Sequence, residues 1–146
     1  MTPAALYQEL VLEHSRAPRN FGELPDHTHA AYGANPLCGD ALHVELRMLG
    51  AHIAQMRFRG ESCAIVRATT SLLSEQVVQL TSLDIAALET TFARVITGQG
   101  GYEAALGDLN ALAALANYPT RRKCALLPFS TLRAALAGTL RTTTER

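Results

Sequence analysis

Leu42-His43-Val44-Glu45-Leu46-Arg47-Met48 is the stretch that decides the fold. Apolar and polar residues alternate through it with a period of two, the signature of a strand with one apolar face. Gly50 to His52 follows as a hairpin turn. Ala54, Met56 and Phe58 then alternate again, giving a second strand that ends at Gly60. Upstream, Tyr32 to Asp40 reads as a turn-rich loop, and a short strand near His27 to Ala31 is expected to join the sheet.

Helical spacing occupies the rest of the chain. Leu6, Leu10 and His14 recur through Pro3 to Ser15, with Thr2 as a cap and Pro3 in the first helical position. Two prolines and Gly22 make Arg16 to Pro25 a loop, whose Arg16, Arg19 and Asn20 are expected to be exposed. From Cys63, a stripe of Ile65, Ala68, Leu72, Gln76, Val77 and Leu80 predicts one long helix. Thr81 to Leu83 interrupts it. Ser82 or Asp84 is expected to cap the next helix, which presents Ile85, Leu88, Phe92, Val95 and Ile96. Gly98, Gly100 and Gly101 end that helix. They lack a preceding strand and a Lys-Ser/Thr ending, so they are not a phosphate loop. Asp108 to Asn117 reads as a short helix stopped by Pro119. A last helix is expected around Ala125, Phe129, Leu132 and Leu136, with Pro128 near its start. The threonine-rich tail after Gly138 is expected to fray.

A small antiparallel sheet with helices packed on one face hides both apolar patterns, so the expected fold class is α+β. No internal repeat or long linker divides the sequence. One domain over residues 1–146 is expected, with its core at 3–137.

Thirteen basic residues balance thirteen acidic ones, so bulk charge gives no pull toward nucleic acid or acidic membranes. The apolar stretches fall far short of the roughly 20 residues a membrane-spanning helix needs. Met1 to Leu12 has no basic n-region and includes Glu9, so it does not read as a secretory signal. A cytoplasmic location is the expectation.

The three cysteines are odd in number and cannot all pair within one chain. Each is placed at an expected junction: Cys38 before the first strand, Cys63 before the long helix, Cys124 before the last helix. Their spacing is not that of a compact zinc knuckle, and three inert buried thiols are the simplest alternative. If they converge, three thiolates and the Asp40 carboxylate make four donors, the number zinc prefers. Gly39 allows a sharp turn that lets Cys38 and Asp40 face one ion, although an aspartate there is also an ordinary turn residue. Cys63 at a helix start feels the helix dipole. Lys123, with Arg121 and Arg122, puts positive charge beside Cys124. Lowered thiol pKa values suit sulfur transfer, because the thiolate is the nucleophile. His14, His43 and His52 read as packing, strand-face and turn residues.

These residues resemble a known family. Leu6-Tyr7 through His14, Pro18-Arg19-Asn20-Phe21-Gly22 and Asn35-Pro36-Leu37-Cys38-Gly39-Asp40 carry the likeness. So do Phe58 through Ile65, Leu106-Gly107-Asp108-Leu109 and Tyr118 through Ala125. Together they resemble the U-type iron–sulfur scaffold family, which includes IscU and the N-terminal domain of NifU, and lie closest to its SufU branch. The resemblance covers residues 6 to 137. It implies that Cys38, Asp40, Cys63 and Cys124 are the metal ligands and that Cys38 is the sulfur acceptor. It implies bound zinc and a SufS-like cysteine desulfurase as persulfide donor, whose histidine can replace a cysteine on the metal. It further implies downstream cluster-assembly or apo-target proteins as recipients. Arg121 matches a basic supporting position. Lys123 stands where the IscU branch has histidine, and Leu106 to Tyr118 resembles the insertion typical of SufU.

Ser62, Val66, Thr69, Thr70 and Arg122 depart from the family pattern around these ligands. Two alternatives stay open: a true scaffold that assembles a [2Fe–2S] cluster, and a non-catalytic zinc-stabilised interaction domain.

Overall fold

The computed structural model describes residues 2–144. The alternating stretch lies in β2 (Asp40–Leu49), inside a four-stranded sheet of order β3-β2-β1-β4. β1 (His29–Asn35) and β3 (His52–Arg59) flank β2, both antiparallel to it. Leu42, Val44 and Leu46 are buried, as the period of two requires.

Four expectations about the strands change. β1 runs to Asn35, so most of the expected 32–40 loop is strand and only 36–39 turn between β1 and β2. Residues Arg141–Thr143 of the expected fraying tail form β4, which pairs in parallel with β1 from Tyr32↔Arg141 to Ala34↔Thr143. The sheet is therefore mixed and not purely antiparallel. The last two residues of that tail lie outside the described residues.

The polar positions of β2 are also more buried than a half-exposed strand implies. His43 and Glu45 are each more than nine-tenths buried. The segment after α1 (Pro3–Arg16) lies along the sheet and pairs with β3: Phe58 N–H donates to Asn20 O at 3.0 Å, and Gly22 N–H to Phe58 O at 2.8 Å. Arg19 and Asn20 are half-buried in consequence. Glu45 is satisfied by the Leu24 N–H at 2.9 Å and by Arg59 at 3.0 Å. A buried carboxylate needs such partners.

The helices are α1, α2 (Ala64–Gln76), α3 (Ser82–Ile96) and α4 (Pro119–Ala137), with a 3-10 helix over Ala104–Asn117. Thr2 caps α1 by accepting the Ala5 N–H at 3.1 Å. α2 stops at Gln76, short of Leu80, because the next residues pair with β3. Gln79 N–H donates to Ile53 O at 2.7 Å, and Ile53 N–H to Leu80 O at 2.9 Å. Thr81, not Ser82 or Asp84, is the cap of α3, in a reciprocal capping box with Asp84. The 3-10 helix begins four residues before the expected helix and kinks at Gly107.

Pro119 does more than stop the preceding helix. It opens α4, whose first turn tolerates a residue without an N–H. Cys124 is consequently inside α4 and not ahead of it. Pro128 is in mid-helix, four residues on, where it withholds the bond that the Cys124 carbonyl would otherwise accept. α4 packs across β1 and β2 on one face of the sheet, with α1 against α2 and α3 against the 3-10 helix. Phe58, Phe92, Leu109 and Phe129 are buried within a single hydrophobic cluster, where the Phe92 and Phe129 rings pack with centroids 4.9 Å apart.

Candidate metal centre

Three pieces of local structure carry the four candidate donors: the β1–β2 turn and α4 bring Cys38, Asp40 and Cys124 together, and the start of α2 sets Cys63 near Cys124. The first is the β1–β2 turn. Cys38 N–H donates to Asn35 O at 3.0 Å and Gly39 N–H to Pro36 O at 3.2 Å. Gly39 takes φ +73, a left-handed conformation that other residues adopt only with strain. This turn leaves Cys38 exposed and starts β2 with Asp40, buried opposite Asn35.

The second piece is the approach to α2. Gly60 has φ +136, and a Cβ there would lie 2.2 Å from the Ala41 carbonyl oxygen. This close approach lets Ala41 N–H donate to Glu61 O at 2.8 Å, which draws the start of α2 onto β2. Cys63 then occupies the N-cap of α2 without making a side-chain cap bond. Its N–H donates instead to Asp40 Oδ1 at 2.7 Å.

The third piece is α4, which carries Cys124 into the interior at 5% exposure. One ligand atom from each of Cys38, Asp40 and Cys124 lies within 4.8 Å of the other two. Cys63 is not one of that group, but lies close enough to Cys124 to raise its thiol pKa electrostatically. Burial pushes the Cys124 thiol well above its ordinary range, and the neighbouring Cys63, Cys38 and Asp40 push it the same way. A cation among these donors reverses that preference, since a coordinated thiol loses its proton. Thiolate sulfur and carboxylate oxygen are both donors that zinc accepts, so the residues present fit that ion.

The structure separates the supporting residues. Lys123 lines, with Leu37, Cys38, Pro119 and Thr120, a mostly apolar recess of about 310 Å³ beside the exposed thiol. Arg121 lies on another side, lining a hollow with Tyr7 and Tyr118. Burial raises the Tyr7 hydroxyl above its ordinary range, and Arg121 opposes that shift. Arg122 turns away and donates to Ala116 O at 2.6 Å, fastening the end of the 3-10 helix. Val66, Thr69 and Thr70 are buried within α2. His14 bonds Ser71 at 2.7 Å, remote from the centre in role.

Sequence reasoning missed Asn35, a fully buried residue that touches both Asp40 and Cys124. A lone asparagine beside a proline reads as a turn residue. Its signal appears only once β1 is known to extend that far.

A mixed sheet covered by helices on one face, with Cys38, Asp40 and Cys124 gathered at the end of a hairpin, gives the chain a candidate cysteine-rich metal centre. Residues 6–125 match the NifU-like N terminal domain, and the chain belongs to that family. It is similar to the iron–sulfur cluster assembly scaffold protein IscU of Streptococcus pyogenes serotype M1, 30% identical over 132 residues, 90% of this chain and 82% of that protein. It is similar also to the zinc-dependent sulfurtransferase SufU of Bacillus subtilis strain 168, 28% identical over 133 residues, 90% of each. Among solved structures it resembles a candidate SUF-system scaffold protein of Fervidobacterium islandicum AW-1. The TM-score is 0.83 at 29% identity, over 90% of this chain and 97% of that one. Relatives thus span both the IscU and SufU branches. No helix among the described residues is long and apolar enough to cross a membrane.

Proposed function

We propose that the chain serves iron–sulfur cluster assembly as a zinc-bound sulfur acceptor. Cys38, Asp40, Cys63 and Cys124 hold the ion, and Cys38 takes sulfur from the persulfide of a SufS-like cysteine desulfurase. The contrast in exposure carries this reading: Cys38 is exposed on a turn, whereas Asp40 and Cys124 of the same cluster are buried. An accessible thiol on a buried anchor suits a group that must meet another protein's sulfur.

Zinc, when bound, supplies positive charge that keeps the cysteines as thiolates and ties the hairpin, α2 and α4 together. The Cys38 thiolate attacks the outer sulfur of the partner's Cys–S–SH. A new sulfur–sulfur bond forms on Cys38 as the partner's breaks. The partner leaves as thiolate, the proton stays on the transferred sulfur, and no net redox change occurs. Lys123, on the wall of the recess beside Cys38, contributes positive charge where the partner's departing thiolate develops. Downstream cluster-assembly or apo-target proteins would accept the sulfur.

A second reading has support from the Streptococcus pyogenes relative, which is described as a scaffold: the same donors would hold a [2Fe–2S] cluster. Elemental analysis of the purified protein tests the choice. About one zinc per chain is the expected result. Iron with sulfide in place of zinc would move the assignment to the scaffold, and zinc without any sulfur loading would leave a zinc-stabilised interaction domain.

A further inference from the structure

Asn35, the last residue of β1, sits fully buried between β4 and the cysteine cluster. Its Nδ2 lies 3.5 Å from Asp40 Oδ2 and 3.9 Å from Cys124 Sγ. Both contacts run from an N–H donor to an atom that is anionic when it ligates a cation. The Asn35 backbone carbonyl also accepts the Cys38 N–H at 3.0 Å. One residue therefore touches three of the four proposed ligands.

The far end of this side chain is held from outside the cluster. Thr144, just beyond β4, donates through Oγ1 to Asn35 Oδ1 at 2.6 Å. Its N–H donates to the Ala34 carbonyl at 3.2 Å, extending the β4 pairing by one residue. An amide has a donor end and an acceptor end. With Oδ1 engaged by a hydroxyl, only the donor end faces the carboxylate and the thiol. The reverse orientation would point lone pairs at two anions.

We propose that Asn35 is a positioning residue of the metal centre. Thr144 fixes its orientation, so the carboxy-terminal strand sets how tightly the ion is held. The inference rests on the ligand assignment proposed above and extends it to a part of the chain with no ligand. Hydrogen-bond partners of metal ligands orient them and favour their anionic form, and losing one weakens metal binding about 10–100-fold. The Thr144 hydroxyl bonds the Asn35 amide, and it acts on the ligands through that amide.

The test measures zinc affinity by competition with a chromophoric chelator, alongside the visible spectrum of the Co²⁺-substituted protein. The set is wild type, Thr144→Val, Thr144→Ser and Asn35→Ala. Thr144→Val should weaken zinc about tenfold, and Asn35→Ala at least as much. Thr144→Ser keeps the hydroxyl and should restore wild-type affinity, which a loss of methyl packing would not predict. The Co²⁺ thiolate charge-transfer bands should persist in Thr144→Val, because every ligand remains, while the d–d bands shift. Wild-type zinc affinity in a folded Thr144→Val protein would overturn the inference and leave the ligand assignment standing. Failure of the wild type to take up zinc or Co²⁺ would overturn the ligand assignment itself. If Asn35→Ala does not fold, the pair at position 144 still decides.

Discussion

Asp40 Oδ1 accepts the backbone N–H of Cys63 at 2.7 Å, so one proposed ligand is bonded to the peptide group of another. The carboxylate thereby anchors the start of α2, and its second oxygen faces Asn35. Asp40 thus has one observed duty, satisfying the half-buried Cys63 N–H, and one proposed duty, donating to an ion.

Asp40→Ala should lose both. Leaving the half-buried Cys63 amide without its acceptor costs about 1 kcal/mol in the metal-free protein, the low end of the penalty for a buried donor. Zinc affinity should fall as well. Asp40→Asn keeps an acceptor oxygen without the charge, so it should recover most of the metal-free stability and little of the affinity. Urea denaturation of metal-free samples, paired with chelator competition, separates the two effects. Equal zinc affinity in Asp40→Asn and wild type would remove Asp40 from the ligand set.

Metal removal should lower the melting temperature. The four donors come from the β1–β2 turn, the α2 N-cap and α4, so an ion bound only in the folded state links segments far apart in sequence. Such an ion at 100 times its dissociation constant adds about 2.7 kcal/mol. Differential scanning calorimetry before and after chelation, with metal loss verified by elemental analysis, measures this. An unchanged melt would mean that the ion does not cross-link the fold.

A pH effect follows from His14. Burial first, and the Arg19 charge second, hold its imidazole below the ordinary 6.5, against weaker opposing pulls from Glu75, Glu13 and Asp108. The folded chain favours the neutral ring, which bonds Ser71, itself the acceptor of the Arg19 N–H at 2.8 Å. As pH falls through 6.5, the unfolded chain takes the proton first. This contribution to stability is full above that pH and is lost as pH drops toward the folded pKa. Metal-free protein should therefore lose stability between pH 7.5 and 5.5, and His14→Gln should lose less over the same interval. His43 is shifted in the same direction by burial, so the difference between variant and wild type is the informative quantity. Equal losses in both proteins would exclude His14 as the source.

Much of the fold was legible because burial on one face leaves a period in the sequence. Leu42 to Met48 and Ala54 to Phe58 show it for strands, and Ile85 to Ile96 for α3. What escaped has a physical reason in each case. The end of β1, Gly33-Ala34-Asn35, carries no bulky apolar residue to mark a face. β4 is held through backbone pairing that any side chain can support, so Arg141-Thr142-Thr143 gives no pattern. The start of α4 is hidden because proline both ends and begins helices, and Arg121 to Lys123 interrupt the apolar stripe. The donor residues of the centre were visible as chemistry, whereas their convergence was not. It depends on Gly60 bringing α2 onto β2 and on Cys124 being inside α4. Asn35 was missed because its importance lies entirely in contacts made across 89 residues to Cys124 and 109 to Thr144.

Cys38, alone among the three cysteines, is proposed to accept sulfur. The most direct measurement is peptide mass mapping after the zinc-loaded protein is incubated with a cysteine desulfurase and cysteine. A one-sulfur mass increase is expected on the Cys38 peptide, lost in Cys38→Ser while the fold persists. Added sulfur on Cys63 or Cys124, together with normal transfer by Cys38→Ser, would contradict it.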